Sequence, residues 1–169
     1  GRIRLVLSNI HGNQPLPVDA ATLARSRGAA GVEAPQQVLF GGRHDAVIAP
    51  GAVLVSDPVP FAAEAGDRVA VTLTFGPDAV AQDFHWDARE TSYVIDADEQ
   101  APKVLSEIPA RLTLSAVLSD RPARQVVVAM GDSITDGNGA PMDAQHPVHV
   151  LQLVRNQQMH RRCHSSMRR

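Results

Sequence analysis

Strict alternation of apolar and polar residues marks three strands in the first 120 residues. Successive side chains of a strand point to opposite faces, so an alternating segment buries one face and exposes the other. The segments are 2–8, 67–75 and 111–118. We predict a half-buried strand in each. The residues expected to face inward are Ile3, Leu5 and Leu7 in the first, Val69, Val71, Leu73 and Phe75 in the second, and Leu112, Leu114, Ala116 and Leu118 in the third.

Shorter apolar segments between these three predict further strands. They are 20–24, 38–40, 46–48, 52–55 and 91–95, and turn dipeptides such as Gly41-Gly42 and Pro50-Gly51 separate them. No helical period of useful length occurs before residue 140. Many short strands with regular turns favour a mainly β fold, so we predict an antiparallel, jelly-roll-like β-sandwich module over residues 1–120.

A different pattern begins after residue 120. A polar stretch interrupted by Pro122 is typical of a linker, and the continuous apolar run 125–130 follows it. Such a run is typical of a strand buried on both faces of a parallel sheet. It leads directly into Gly131-Asp132-Ser133. We therefore predict that a second domain starts within residues 121–143.

Composition and charge exclude several classes of protein. Of the 169 residues, 44% are hydrophobic and 4% aromatic, which fits a globular chain with an aliphatic core. The formal charge of −2 excludes the overall basic field of a nucleic-acid binder. No apolar stretch approaches the roughly 20 residues of a membrane span. The chain opens with Gly1 rather than Met, already inside a strand pattern, which is consistent with removal of a leader or of further N-terminal residues.

The last 26 residues differ in charge from the rest of the chain. Residues 144–169 contain five arginines and no acid, whereas residues 1–143 contain 11 Lys and Arg against 18 Asp and Glu, a net charge of −7. Val150, Leu151 and Val154 suit one face of a short helix, and we expect the remainder of this basic, His- and Arg-rich tail to be frayed or disordered. A change of reading frame or a premature end of the gene would produce such a break, and we hold this as a hypothesis.

Ser133 is the strongest candidate for chemistry. It follows a buried parallel strand, which is where open α/β sheets place their ligands. The glycine before it permits a sharp turn, and the Ser133 amide is a candidate oxyanion donor. A Gly-x-Ser-x-Gly elbow is excluded because Thr135 stands in its last place, and no Gly-Lys-Ser/Thr follows for a phosphate loop. From the pattern alone, an ordinary polar loop remains the alternative.

Residues 126–137, Val-Val-Val-Ala-Met-Gly-Asp-Ser-Ile-Thr-Asp-Gly, resemble the first conserved block of the GDSL or SGNH hydrolases. Upstream segments resemble the β-sandwich module that precedes the hydrolase domain in one bacterial subset of that family. These segments are 2–9, 40–42, 48–52, 56–59 and 84–93. The resemblance implies that residues 121–143 begin a flavodoxin-like α/β/α domain. It also implies that Ser133 is the nucleophile and an oxyanion donor, within a supporting loop of Gly131, Asp132, Asp136 and Gly137.

The resemblance further implies an esterase or lipase that cleaves carboxylic esters through an acyl-serine, without a cofactor. The implied substrate carries a small acyl group or is an acetylated sugar, and the implied location is secreted or periplasmic. In the family, later blocks supply a Gly and an Asn for the oxyanion hole and an Asp and a His for the base. Only 36 residues follow Ser133 here and these blocks are absent from them, so we expect this chain alone to be inactive or nearly so.

The remaining histidines suggest no second centre. Asp143 and His146 have the spacing of the family's last block, but they lie too early in the chain, and we interpret the match as coincidence. His160, Cys163 and His164 carry metal-binding atoms, yet nothing nearby completes a tetrahedral set, so we predict no metal site. The tail arginines lack interleaved aromatics and are expected to be solvated, without nucleic acid.

Phe84-His85-Trp86 contains the only tryptophan of the chain. With so few aromatics, a buried or interdomain anchor is our prediction for Trp86. Stacking on a sugar, or lining an active-site mouth together with His85, is the alternative. In that alternative the sandwich is a non-catalytic binding or interaction module, of which carbohydrate is one candidate ligand. We also expect self-association, because the strand at residues 126–130 needs neighbours on both sides.

Overall fold

The structure is a computed structural model that describes residues 1–62, 67–96, 103–121, 132, 139, 141–142 and 148–154. All regular elements in these ranges are β-strands, so the mainly β, sandwich-like character predicted from the sequence is confirmed. In the same ranges, no helix is long and apolar enough to cross a membrane. The strands are β1 (Arg2–Asn9), β2 (Leu16–Val18), β3 (Ala20–Gly28), β4 (Gly31–Val38), β5 (Ala46–Ile48), β6 (Ala52–Val55), β7 (Val59–Pro60), β8 (Val69–Phe75), β9 (Phe84–Trp86), β10 (Ser92–Asp96), β11 (Lys103–Ile108), β12 (Ala110–Leu112), β13 (Leu114–Ser119) and β14 (Val148–Val154).

The strands form two main sheets and two small ribbons. The first sheet has the order β13-β1-β6, and β7 pairs with the start of β1. The second has the order β11-β10-β14-β8-β3-β4. All pairs are antiparallel except those of β14, which runs parallel to both β8 and β10. The ribbons are β2–β5 and β9–β12.

The core is filled by the inward faces of β1 from the first sheet and of β3 and β8 from the second. Ile3, Leu5 and Leu7 are buried as predicted, and they belong to the same apolar cluster as Val71 and Leu73. Burial of each such side chain contributes about 1.5–3 kcal/mol. Both predicted inward faces are therefore confirmed.

The outer face of β8 corrects the expectation of a half-buried strand. Ala70 and Thr72 are also buried, and Ala70 packs with Ala24, Tyr93 and Ile95 in a second, smaller apolar cluster. A central strand is covered on both faces when neighbouring strands and loops fold over it. Alternation in the sequence shows only which face of a strand is more apolar, so it could not reveal that the second face of β8 is buried as well.

The predicted strand over residues 111–118 is wrong in its continuity and partly wrong in its inward face. It is divided into β12 and β13 at Thr113, whose φ of 61° lies in the left-handed region. Leu114 is buried, but Leu118 is 46% exposed and Val117 packs against the core in its place. The physical reason is the break itself, together with a register shift against β1 between Val6 and Leu7, because both change which side chains face inward.

Several short strands were predicted well and others were missed. The bounds of β5 and β6 agree with the predicted segments. The strands β4 and β11 were missed, apart from Val38 at the end of β4, because most of their residues are exposed and neither strand has a buried apolar face that alternation would mark. Both lie at the edges of the second sheet, where the ladder pairs on one side only and exposed side chains are tolerated.

The tail contains a strand where a short helix was expected. Residues 148–154 form β14, which pairs at seven positions with β8 and at three with β10. The helix prediction is wrong because β-branched residues at 148, 150 and 154 suit an extended backbone and main-chain pairing is offered on both sides. Of the predicted linker 120–124, Asp120 is described and accepts hydrogen bonds from the amide and side chain of Arg2, at the start of β1. Residues 122–124, the apolar run 125–130 and residues 155–169 lie outside the described residues.

Candidate functional site

Most residues that the resemblance singles out lie outside the described part of the chain. These are Gly131, Ser133, Asp136 and Gly137. Asp132 is described and is exposed. His85 and Trp86 lie on β9, in the small ribbon with β12. The site geometry that can be built from described residues is therefore that of the sandwich around this ribbon.

The ribbon β9–β12 presents two aromatic rings to solvent. Phe84 is 57% exposed and Trp86 is 67% exposed. Their ring centroids are 6.3 Å apart and the planes meet at 76°, an edge-to-face pair. Trp86 stands opposite the buried Ala110, and Phe84 stands opposite Leu112. The prediction of a core anchor for Trp86 is therefore wrong, because the described residues give this ring, on a three-residue strand paired with β12, no second layer to pack under. The alternative of an interdomain anchor stays a prediction.

A groove of about 240 Å³ lies beside the ribbon. It joins residues that are far apart in sequence, because the end of β1, the segment before β9, and the β12–β13 break all meet here. Its lining residues are Ser8, His11, Asp83, Phe84, His85, Arg111, Thr113, Leu114 and Ser115. We refer to this set as the Asp83 groove.

The Asp83 carboxylate is buried and accepts hydrogen bonds from one short segment of chain. The Ser8 hydroxyl donates to Oδ2, and the Ile10 amide donates to the same oxygen at 2.6 Å. The His11 amide and the His11 Nδ1 both lie 2.9 Å from Oδ1. The carboxylate thus fixes the turn that follows β1.

The environment of Asp83 has opposing effects on its pKa. Burial raises the pKa, whereas the hydrogen bonds from Ser8, His11 and Ile10 lower it. The hydrogen bonds together outweigh burial, so the pKa of Asp83 lies below its ordinary value. Asp83 is therefore ionised at neutral pH.

Ser8, Asp83 and His11 are the residue types of a catalytic triad, but their connection is different. In a triad the histidine lies between the serine and the acid and accepts the serine proton. Here Ser8 and His11 both hydrogen-bond to Asp83, and Ser8 donates its proton to the carboxylate. This arrangement gives Ser8 no basic nitrogen to activate it, and it stabilises the local backbone instead.

Arg111 and His85 form the polar wall of the groove. They are cross-strand partners, and Arg111 Nη2 donates to His85 Nδ1 over 3.1 Å. Arg111 Nη1 also lies 3.6 Å from Oε2 of Glu90, which is almost fully buried. Because Nδ1 of His85 accepts, the ring proton of the neutral imidazole is on Nε2.

Thr113 combines an unusual backbone with an unpaired side chain. Its φ of 61° is rare for a β-branched residue, and such conformations cost about 1–3 kcal/mol. The surrounding strands hold it: its amide donates to the Asp83 carbonyl, and its own carbonyl accepts from the Ser8 amide, both over 2.8 Å. Its Oγ1 is buried and has no hydrogen-bond partner among the described residues.

The sequence analysis singled out His85, which lines the groove, and Trp86, which lies beside it, but not Asp83, Arg111 and Thr113. Nothing local in the sequence marks these three, since Asp83 contacts residues 72 to 75 positions away. Thr113 also follows the alternation of its segment, standing with Arg111 and Ser115 on the predicted polar face, so the pattern gave no sign of the break there.

The described ranges offer no metal site. They contain no group of three or more His, Cys, Asp or Glu side chains arranged to hold a metal ion. His146, His160, Cys163 and His164 lie outside those ranges, so the prediction about them stays a prediction.

Comparison with known proteins adds no family assignment. No protein-family model matches this chain, and no curated protein sequence matches it either.

Proposed function

We propose that this chain belongs to an SGNH-type serine ester hydrolase, in which the sandwich precedes the strand and loop that carry the nucleophile Ser133. The observation that carries this proposal is the apolar run 125–130 followed by Gly131-Asp132-Ser133-Ile134-Thr135-Asp136-Gly137. This block begins six residues after Ser119, the last residue of β13. The finer fold proposed for residues 121–143 is the start of a flavodoxin-like α/β/α domain.

The proposed reaction is acyl transfer to serine. Ser133 Oγ forms a bond to the ester carbonyl carbon while its proton passes to a base, and the amide of Ser133 donates to the developing oxyanion. The bond to the alcohol oxygen then breaks, and the alcohol leaves with a proton. Water attacks the acyl-serine, releases the carboxylic acid and restores the hydroxyl. The proposed substrates are esters with a small acyl group, including acetylated sugars.

The proposed reaction needs a general base to accept the Ser133 proton. Within residues 134–169 the sequence offers His146, His149, His160 and His164, none at the family's position. A serine without a base is a poor nucleophile at neutral pH. We therefore propose that turnover by this chain is slow and increases when an external base such as imidazole is provided.

The direct test is hydrolysis of p-nitrophenyl acetate and p-nitrophenyl butyrate by the purified chain. The rate is measured with and without imidazole, beside Ser133→Ala and a protein-free control at the same imidazole concentration. We expect p-nitrophenol release above the control for the wild type only, with a larger excess in imidazole. Equal rates for the wild type and Ser133→Ala under both conditions would contradict the proposal.

A further inference from the structure

We propose that the Asp83 groove and the adjoining Phe84–Trp86 ring pair form a binding site for a neutral, hydroxyl-rich ligand of the size of a mono- or disaccharide. The site lies wholly on the sandwich. The inference is independent of Ser133 and of any ester chemistry.

The aromatic pair gives the site an apolar platform. The sugar ring has faces of C–H groups that pack well against aromatic rings, and exposed aromatic side chains mark binding surfaces when they occur as a group. Phe84 lines the groove, and the Trp86 ring adjoins Phe84 edge to face, with the ring centroids 6.3 Å apart. With one Trp and four Phe in the whole chain, two large rings exposed side by side on one three-residue strand are the feature that favours a binding surface here.

The groove supplies a buried polar atom that a hydroxyl group would satisfy. Thr113 is 2% exposed and lines the groove, and its Oγ1 has no partner among the described residues. Leaving such an atom unpaired costs about 1–3 kcal/mol. The left-handed φ of this residue is a second cost, and strained residues of this kind cluster at ligand-binding sites. A ligand hydroxyl that both donates and accepts is the complement of a threonine hydroxyl.

The charges around the groove favour a neutral ligand over an anion. Asp83 carries a full charge, and the Arg111 guanidinium is matched by the buried Glu90 carboxylate at 3.6 Å. The two carboxylates, Asp83 and Glu90, outnumber the one guanidinium by one negative charge. A phosphate or sulfate would be repelled by Asp83 and would compete with Glu90 for Arg111. Hydroxyl groups have neither problem.

The size of the groove sets the size of the ligand. About 240 Å³ is below the ~300–1,000 Å³ typical of pockets for drug-sized molecules. One sugar ring in the groove and a second over Trp86 would use both the cavity and the platform. A ligand longer than a disaccharide is not needed to fill the site.

The single tryptophan provides a direct readout of binding. The full chain is titrated with cellobiose, xylobiose and maltose while the emission of Trp86 is followed, and glucose is compared with glucose 6-phosphate. We expect a saturable change in emission with at least one disaccharide at millimolar concentration, and weaker binding of glucose 6-phosphate than of glucose. Absence of any saturable change with the three disaccharides, or tighter binding of the phosphate, would overturn the proposal.

Two variants and a control assign the binding to this site. Phe84→Ala should weaken binding about tenfold by removing one ring of the platform. Thr113→Val keeps the shape but removes Oγ1, so it should weaken binding about three- to tenfold without lowering the melting temperature. Val47→Ala, at an equally exposed apolar residue on β5, should change neither. Unchanged affinity in Thr113→Val, or a melting temperature that falls, would show that Oγ1 does not bind the ligand.

Discussion

At the scale of single residues, Asp83 holds the turn that follows β1. It is buried, and four donors from residues 8–11 converge on its two oxygens. Hydrogen bonds to a charged acceptor contribute more than neutral ones, and removing the acceptor leaves its donors unsatisfied. The turn after β1, and with it one wall of the groove, depends on this carboxylate.

We expect Asp83→Asn to destabilise the protein by about 1–3 kcal/mol at pH 7. The substitution replaces one carboxylate oxygen by an amide nitrogen, which cannot accept the hydrogen bond that Oδ2 accepts from the Ile10 amide. Urea unfolding measures the loss. Asp78→Asn serves as the control at an exposed carboxylate five residues away, with an expected change within about 0.5 kcal/mol. Equal effects of the two variants would contradict the role given to Asp83.

The same residue predicts a pH dependence with a defined sign. The pKa of Asp83 is lower in the folded protein than its ordinary value, so its contribution is fully present above the unfolded pKa of about 3.9. That contribution is lost as the pH falls through the folded pKa. The difference in stability between wild type and Asp83→Asn should therefore be constant near neutral pH and shrink in acid below about pH 4. A difference that grows in acid would contradict the assignment.

At the scale of elements, β1 organises the first sheet. It pairs with β13 on one side and with β6 and β7 on the other, and its apolar face enters the main core. Leu5 is fully buried, whereas Leu118 on the neighbouring strand is 46% exposed. The two residues have the same side chain and lie in the same sheet, so the comparison between them isolates the effect of burial.

Leu5→Ala should therefore cost about 2–5 kcal/mol of unfolding free energy, through lost burial and the cavity that remains. Leu118→Ala should cost about 0.5 kcal/mol or less, because its side chain already faces solvent. Denaturant unfolding of both variants measures the contrast. Similar losses for the two variants would contradict the structure, because they would show that Leu118 is buried, as the sequence pattern predicted.

The sequence predicted those elements whose burial is decided locally. The alternation of β1 and β8 gave their inward faces, and the bounds of β5 and β6 follow from flanking Gly and Pro turns. It failed where tertiary contacts decide. The exposed edge strands β4 and β11 are formed by pairing rather than burial, and the break at Thr113 depends on hydrogen bonds to Asp83 and Ser8.

The candidate groove could be predicted only in part for the same reason. His85 and Trp86 were found because aromatics are rare in this chain. The link between Asp83 and the turn at residues 8–11, and that between Arg111 and Glu90, arise from strand pairing across long stretches of sequence. No short motif encodes either contact.

At the scale of the whole molecule, the described part is a mainly β, sandwich-like body. The proposed nucleophile, Ser133, is not among the described residues. The strand β14 brings residues 148–154 between β8 and β10 of the second sheet. The self-association expected from residues 126–130 stays a prediction, and light scattering at high protein concentration checks it. A strictly monomeric protein would contradict that expectation.

The measurement that tests the proposed hydrolase most directly is intact-protein and peptide mass spectrometry after reaction with p-nitrophenyl acetate in imidazole, quenched in acid to preserve an ester. We predict one added acetyl group on the peptide that contains Ser133, and none on that peptide in Ser133→Ala. Acetylation confined to Ser8 or other residues, or equal labelling in the variant, would contradict the assignment of Ser133 as the nucleophile.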